Sequence, residues 1–175
     1  MEKSINVIAG RPGAGKTLWA CREAARLAED ENNTVIYIGH QEEFVRILAM
    51  TKCKTNNLLF ARLPNAAEAI GRAIDCANAE SGMFNDMTVD EGQEKRRIVY
   101  LFYDQCRFDL FPGRRILLET AAKAGVFVNV LCQVYSQVDN HNKEWLRDNC
   151  ECMVISKKRE PRLATKEEIH GKYCG

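Results

Sequence analysis

The sequence predicts an α/β protein of three layers, with helices on both faces of a mainly parallel sheet. Apolar runs of strand length alternate with segments of helical periodicity along most of the 175 residues. The runs are continuous and rich in β-branched residues, as in Thr34-Val35-Ile36-Tyr37-Ile38, which suits strands covered on both faces. A glycine-rich loop joins the first run to the first helical segment. One ordinary domain spanning residues 1–175 accommodates this length, and it is large enough to bury roughly 70% of the unfolded chain's surface.

Ile5 to Ala9 is the first strand, and Gly10 begins the loop. A helix follows from about Gly15 to Glu29, with Ala20, Ala24, Leu27 and Ala28 on one face. Glu29 to Asn33 is a polar turn before the strand Thr34 to Ile38. Gln41 to Met50 reads as a helix with Phe44, Val45, Ile47 and Leu48 inward, and Leu58 to Arg62 as a short strand. Asn65 with Glu68 three residues on resembles a capping box. The helix it opens buries Ala66, Ala69, Ile70, Ala73, Ile74 and Ala77 and stops at Ser81-Gly82. Asn85 to Arg97 has no periodicity; loops of this length are either functional or plain connectors.

Ile98 to Asp104 is a strongly apolar strand ending in a carboxylate. Pro112 opens a helix whose buried face is Ile116, Leu117, Thr120, Ala121 and Ala124, and Gly125 stands where a left-handed cap is wanted. Val126 to Val134 is a further strand, Asn140 to Asp148 a short helix and Cys152 to Ile155 a last strand. The charged tail holds a small helix around Thr165 to Ile169.

The loop Gly10-Arg11-Pro12-Gly13-Ala14-Gly15-Lys16-Thr17 is G-x-x-x-x-G-K-[ST], the P-loop, placed between strand and helix as phosphate binding requires. A phosphate chain must lie against backbone N–H groups. A side chain at Gly13 or Gly15 would obstruct that approach or the turn itself. The first helical turn adds unpaired N–H groups and the positive end of the helix dipole. Lys16 brings a point charge to the β- and γ-phosphates, and Thr17 a hydroxyl to Mg²⁺. Gly10, Arg11, Pro12, Gly13, Ala14, Gly15, Lys16, Thr17 and Leu18 are the expected nucleotide-binding set. ATP and Mg²⁺ are the expected ligands, with adenine as the default only: no guanine-specifying N-K-x-D is present, and the sequence does not give the base.

Asp104 completes the pattern as a Walker B carboxylate, aimed at Mg²⁺ opposite Thr17. The metal set is Thr17 and Asp104; the catalytic set is Lys16, Asp104, Gln105 and Gln133. Gln105 stands where many translocating ATPases place Glu. A carboxamide takes no proton, though it orients water by hydrogen bonding. Hydrolysis is then slow, or another carboxylate serves; Asp109 and Glu119 are the nearest in sequence. Gln133, near the end of a strand expected beside the P-loop strand, either senses the γ-phosphate or is an ordinary bonded amide. Arg114, Arg115, Arg147 and Arg159 are candidates for an arginine supplied across a ring interface. Lys157-Lys158-Arg159 with Arg162 is the densest basic patch, a solvated face or a seat for a phosphate backbone.

Lys plus Arg is 25 and Asp plus Glu 24, so no global positive charge announces nucleic acid. The eight cysteines, Cys21, Cys53, Cys76, Cys106, Cys132, Cys150, Cys152 and Cys174, contain no C-x-x-C and read as reduced thiols of a cytoplasmic protein. No signal peptide precedes the first strand, and the longest apolar run is about half the ~20 residues a membrane helix needs.

The segments Ile5 to Thr17, Ile98 to Gln105 and Leu110 to Ser156 resemble the additional-strand P-loop ATPases of the FtsK/HerA type. The likeness is nearest to zonula-occludens-toxin-like filamentous-phage assembly ATPases and conjugative coupling ATPases. It is carried by G-R-P-G-A-G-K-T, by D-Q after the Walker B strand, by F-P-G-R-R, and by A-A-K-A-G-V-F-V-N-V-L-C-Q-V-Y-S-Q-V-D with Gln133, Ser136, Gln137 and Asp139. The resemblance implies a RecA-like P-loop NTPase fold. It further implies ATP hydrolysis by an oligomeric, ring-forming motor core, with DNA or a phage or conjugation assembly partner as cargo. A small nucleoside or nucleotide kinase, and a nucleotide-binding switch with little turnover, are the alternatives. Phe108 after Asp104 resembles the thymidine-kinase arrangement, although the four-cysteine zinc lasso of that family is missing.

Overall fold

The computed structural model describes residues 5–51, 57–83, 97–106, 112–156 and 160–170. Strands β1 (Ile5–Ala9), β2 (Asn33–Gly39), β3 (Leu58–Arg62), β4 (Ile98–Tyr103), β5 (Phe127–Cys132), β6 (Glu151–Val154) and β7 (Arg162–Leu163) form one sheet, in the order β3-β2-β4-β5-β1-β6-β7. Pairing is parallel throughout except between β6 and β7. The helices are α1 (Lys16–Ala28), α2 (Gln41–Met50), α3 (Ala66–Met83), α4 (Pro112–Lys123), α5 (Asn140–Asn149) and α6 (Lys166–His170). Parallel neighbours require crossovers, and helices lying on the sheet supply them.

Successive side chains of a strand point to opposite faces, so the sheet carries two cores. On one face Val35, Tyr37, Phe102 and Leu131 pack against Ala20, Cys21, Ala24 and Leu27 of α1 and Ile47 of α2. On the other, Val7, Ile36, Ile38, Leu101, Val128 and Val130 pack against α3, α4 and α5 through Ala69, Ile70, Ala73, Leu118, Ala121 and Leu146. That is the three-layer arrangement. The mean face of α1 follows the expected stripe, with Cys21 and Ala25 added to it.

Three helices depart from their sequence reading. In α2 only Ile47 is fully buried; Val45 and Leu48 are 58% and 47% exposed. The helix lies toward the sheet edge, where a narrow stripe suffices, and Phe44 is spent on stacking with Phe60 at 4.8 Å between ring centres. In α4 the buried stripe is Leu118 and Ala121, while Ile116 is 67% exposed and the Thr120 hydroxyl turns back onto the Ile116 carbonyl. The Leu117-Leu118 pair leaves the phase of that stripe undetermined from sequence, and packing selects Leu118. The helix α3 runs through Ser81 and Gly82 to Met83; a glycine near a helix end costs only about 1 kcal/mol. The irregular stretch is outside the described residues but for Arg97, as are Phe108, Asp109, Lys157, Lys158, Arg159, Cys53 and Cys174. Five of the six described cysteine thiols are buried. Among the described residues no helix is long and apolar enough to cross a membrane.

Two consequences of the strand order position the site. The strand β5 lies between β1 and β4, so the loop after β1 and the carboxylate after β4 face each other across one intervening strand. The antiparallel strand β7, which sequence reading placed only in a basic patch, extends the sheet beyond β6 and returns the tail to the loop's other side.

Candidate functional site

The loop after β1 owes its shape to glycine. Gly13 and Gly15 have φ of +78° and +101°, where side chains are strained. A Cβ on Gly13 would meet nothing within 4 Å, so its requirement is conformational and the space above it is open. Gly10 is needed for a different reason. The Ile155 N–H donates to the Ala9 carbonyl at 3.0 Å, which brings β6 so close that a Cβ on Gly10 would lie 2.8 Å from the Ile155 carbonyl oxygen. Gly10→Ala is expected to cost about 1–3 kcal/mol by overpacking. At this chain length that lowers Tm by about 2–12 °C. Gly71→Ala, mid-helix with open space around it, should raise Tm instead. Thermal unfolding of the two variants checks both signs.

Lys16 opens α1 and folds back over the loop. Its ammonium donates to the carbonyls of Gly10 at 2.6 Å and Arg11 at 3.2 Å. Burial lowers its pKa from the ordinary lysine value, with Cys132 and then Asp104 opposing the shift. Cys132 ends β5 beneath the site, and burial pushes its thiol up to about 12.

Asp104 is 1% exposed, and both of its oxygens accept hydrogen bonds. The Thr17 hydroxyl donates to its Oδ2 at 2.7 Å across 87 residues of sequence. The Tyr37 hydroxyl of β2 donates to the same oxygen at 3.2 Å, and the Gln105 N–H to Oδ1 at 2.8 Å. A carboxylate oxygen accepts about two hydrogen bonds, so Oδ1 keeps one lone pair open. Burial, and next the Asp104 charge, raise the pKa of Tyr37 and hold it as a phenol donor. Among the described residues no three His, Cys, Asp or Glu side chains form a metal cage. Magnesium does not ask for one: it keeps several waters and takes one or two protein oxygens together with phosphates. One hydroxyl touching one buried carboxylate fits that demand.

Gln105 follows at φ +56°, the single non-glycine residue with positive φ among those described. The Asp104 N–H bonds to Ile38 of β2 and the Cys106 N–H to Leu131 of β5. The left-handed residue between them therefore switches the chain from one neighbour strand to the other. The Gln105 side chain is exposed and meets His40, just beyond β2, with Oε1 3.0 Å from Nε2. Gln133 is exposed one residue past β5. Glu119 accepts from the Trp145 indole of α5, so it braces α4 on α5. The arginine candidates divide similarly. Arg114 lies over the Tyr103 ring at 5.3 Å, Arg115 donates to His141 and Arg147 pairs with Asp148; Arg159 is outside the described residues.

Beside the loop, on the β6 side, opens a cavity of about 580 Å³. Gly10 to Ala14, Val134 to Ser136, Val154 to Ser156, Arg162 and Glu168 line it. Arg162 and Glu168 form a paired fork at 2.7 and 3.0 Å, and Glu160 accepts from the Trp19 indole at 3.0 Å, tying the tail to α1. Sequence reading did not single out Tyr37, His40, Glu160 or Glu168. Tyr37 and His40 reach the site only because β2 pairs with β4, a neighbour relation that no local pattern encodes. Searches against family models and curated proteins return no match for this chain.

Proposed function

We propose that the protein binds a nucleoside triphosphate, ATP by default, with Mg²⁺, and hydrolyses it as the core of an oligomeric motor. The observation that carries this reading is the 2.7 Å contact between Thr17 of the loop and Asp104, with Lys16 beside it. Phosphates would lie on the backbone N–H groups from Gly13 to Leu18, with the γ end toward Asp104. The nucleoside would then leave on the opposite side of the loop, into the cavity bounded by Arg162 and Glu168, whose volume suits such a ligand. Magnesium would neutralise charge on the β- and γ-phosphates there.

In this reading water adds to the γ-phosphorus as the bond to the β–γ bridging oxygen breaks, giving ADP and phosphate. Lys16 stabilises charge gathering on the phosphate oxygens. Gln105 orients the water by its carboxamide, and the water's proton departs with the phosphate. The strand inserted between β1 and β4 supports a RecA-like, additional-strand ATPase over a small kinase. The buried thiols support a cytoplasmic setting. DNA as cargo, a ring of subunits, and a role in DNA translocation, packaging, phage or conjugative assembly rest on the motif resemblance.

The test is phosphate release from ATP by the purified protein, with and without single- and double-stranded DNA. Turnover that rises with DNA is the expected result. Turnover indifferent to DNA but yielding a phosphorylated nucleoside would replace the motor with a kinase. Tight ATP binding with no phosphate release would leave a nucleotide switch, a reading favoured by the Gln105–His40 contact.

A further inference from the structure

We propose that His40 is a positioning residue that holds Gln105 turned away from the phosphate site, so that the resting protein is restrained in hydrolysis. The inference rests on the nucleotide-binding reading above. Three observations meet here. The Gln105 carboxamide oxygen is 3.0 Å from His40 Nε2. With the amide in this orientation its oxygen only accepts, so the matching tautomer carries the His40 proton on Nε2. Second, β2 lies on the side of β4 opposite β5 and β1. His40 therefore holds the side chain on the β2 side of β4, two strands from β1, which carries the P-loop. Third, the backbone bonds of Asp104 to Ile38 and of Cys106 to Leu131 hold Gln105 at φ +56°, so only its side chain is left to turn.

The Gln105 oxygen is the atom that would accept a hydrogen bond from an attacking water. In the His40-bound arrangement one of that oxygen's two lone pairs is taken and the carboxamide is held on the β2 side. The two arrangements are alternatives, and their balance is set largely by one hydrogen bond between exposed side chains. Asp104 does not take part in the choice: the Gln105 N–H holds its Oδ1 by a backbone bond that rotation of the Gln105 side chain leaves intact.

Removing the imidazole should release Gln105. A hydrogen bond of this kind shifts such an equilibrium by about two- to tenfold, so His40→Ala is expected to raise ATP turnover by that factor. Because His40 acts through Gln105, the same substitution in a Gln105→Ala background should change nothing. Two further readouts do not depend on turnover. The affinity for a fluorescent ATP analogue should be the same in the parent and in His40→Ala. The imidazole nitrogen NMR signals of His40 should report the Nε2–H tautomer in the parent and lose that preference in Gln105→Leu.

Each outcome decides something. Turnover unchanged or lowered in His40→Ala, with nucleotide still bound, overturns the restraint. A rise that persists without Gln105 does the same. A His40 tautomer indifferent to Gln105→Leu removes the contact itself. Failure of the parent to bind the ATP analogue overturns the nucleotide reading, and the inference falls with it. Binding and an imidazole signal that both behave as expected, without the rise in turnover, overturn the inference alone.

Discussion

Lys16→Ala is expected to lower ATP turnover by at least about 100-fold, the scale of losing one preorganised donor to developing charge. Affinity should fall as well, by about ten- to a hundredfold, since the lost contact is a charged hydrogen bond in a half-buried site. The fold should not suffer. Burial lowers the Lys16 pKa, so the folded protein binds its proton less firmly than the unfolded chain does. With more protons on the unfolded state, this group's contribution to stability rises with pH in the window below the ordinary lysine value. The ammonium is thus disfavoured by folding at neutral pH, and Tm of Lys16→Ala should be unchanged or higher. The same shift predicts a pH effect on binding. ATP affinity in the parent should fade on the alkaline side at a lower pH than an ordinary lysine would give. Lys16→Arg, whose guanidinium stays charged, should bind less tightly and show no such fade. Nucleotide titrations from neutral to alkaline pH, paired with thermal melts, check both. A large loss of Tm in Lys16→Ala would mean that its bonds to Gly10 and Arg11 serve the fold and not the ligand.

Much of this molecule was legible in the sequence, for identifiable reasons. Strands buried on both faces read as apolar runs, and the six parallel strands were visible to within a residue or two. Gly13, Gly15 and Gly125 all take the positive φ that their positions in a P-loop and a helix cap demanded. The phases of α2 and α4 were not legible, because adjacent apolar residues such as Leu117 and Leu118 satisfy two stripes equally and only packing chooses. The strand β7 was missed because two exposed residues, Arg162 and Leu163, have no period to read. In the site, what lies along the chain was visible and what lies across it was not. Lys16, Thr17 and Asp104 follow from local pattern. The bonds from Tyr37 to Asp104 and from His40 to Gln105 follow from β2 lying beside β4, and the walls of the cavity from the tail returning past β6.

Asp104→Asn separates what the site does from what holds the protein together. The carboxylate is buried beneath three donors: the Thr17 and Tyr37 hydroxyls and the Gln105 N–H. An ion in that position is costly to desolvate, and these three bonds are what offset the cost. Asparagine has the same shape, keeps an acceptor for the Gln105 N–H, and meets the two hydroxyls with an amide that either can accept from. The substitution therefore removes a buried charge while leaving few polar atoms unpaired, so Tm should hold or rise. The chemistry should not hold. With no anion to oppose Thr17, the pull on Mg²⁺ is lost, and turnover should fall by about 100- to 1000-fold. The loss should be selective. ATP affinity measured without Mg²⁺ should match or exceed the parent's, since the phosphates rest on the loop and Lys16 and a nearby anion is gone, whereas the gain on adding Mg²⁺ should vanish. A parent that binds ATP equally with and without Mg²⁺ would remove the metal role from Asp104. A steep fall of Tm in Asp104→Asn would instead make the carboxylate a structural anchor between α1, β2 and β4. A more stable variant that no longer responds to the metal would show a carboxylate that costs the fold stability and is explained by ligand binding.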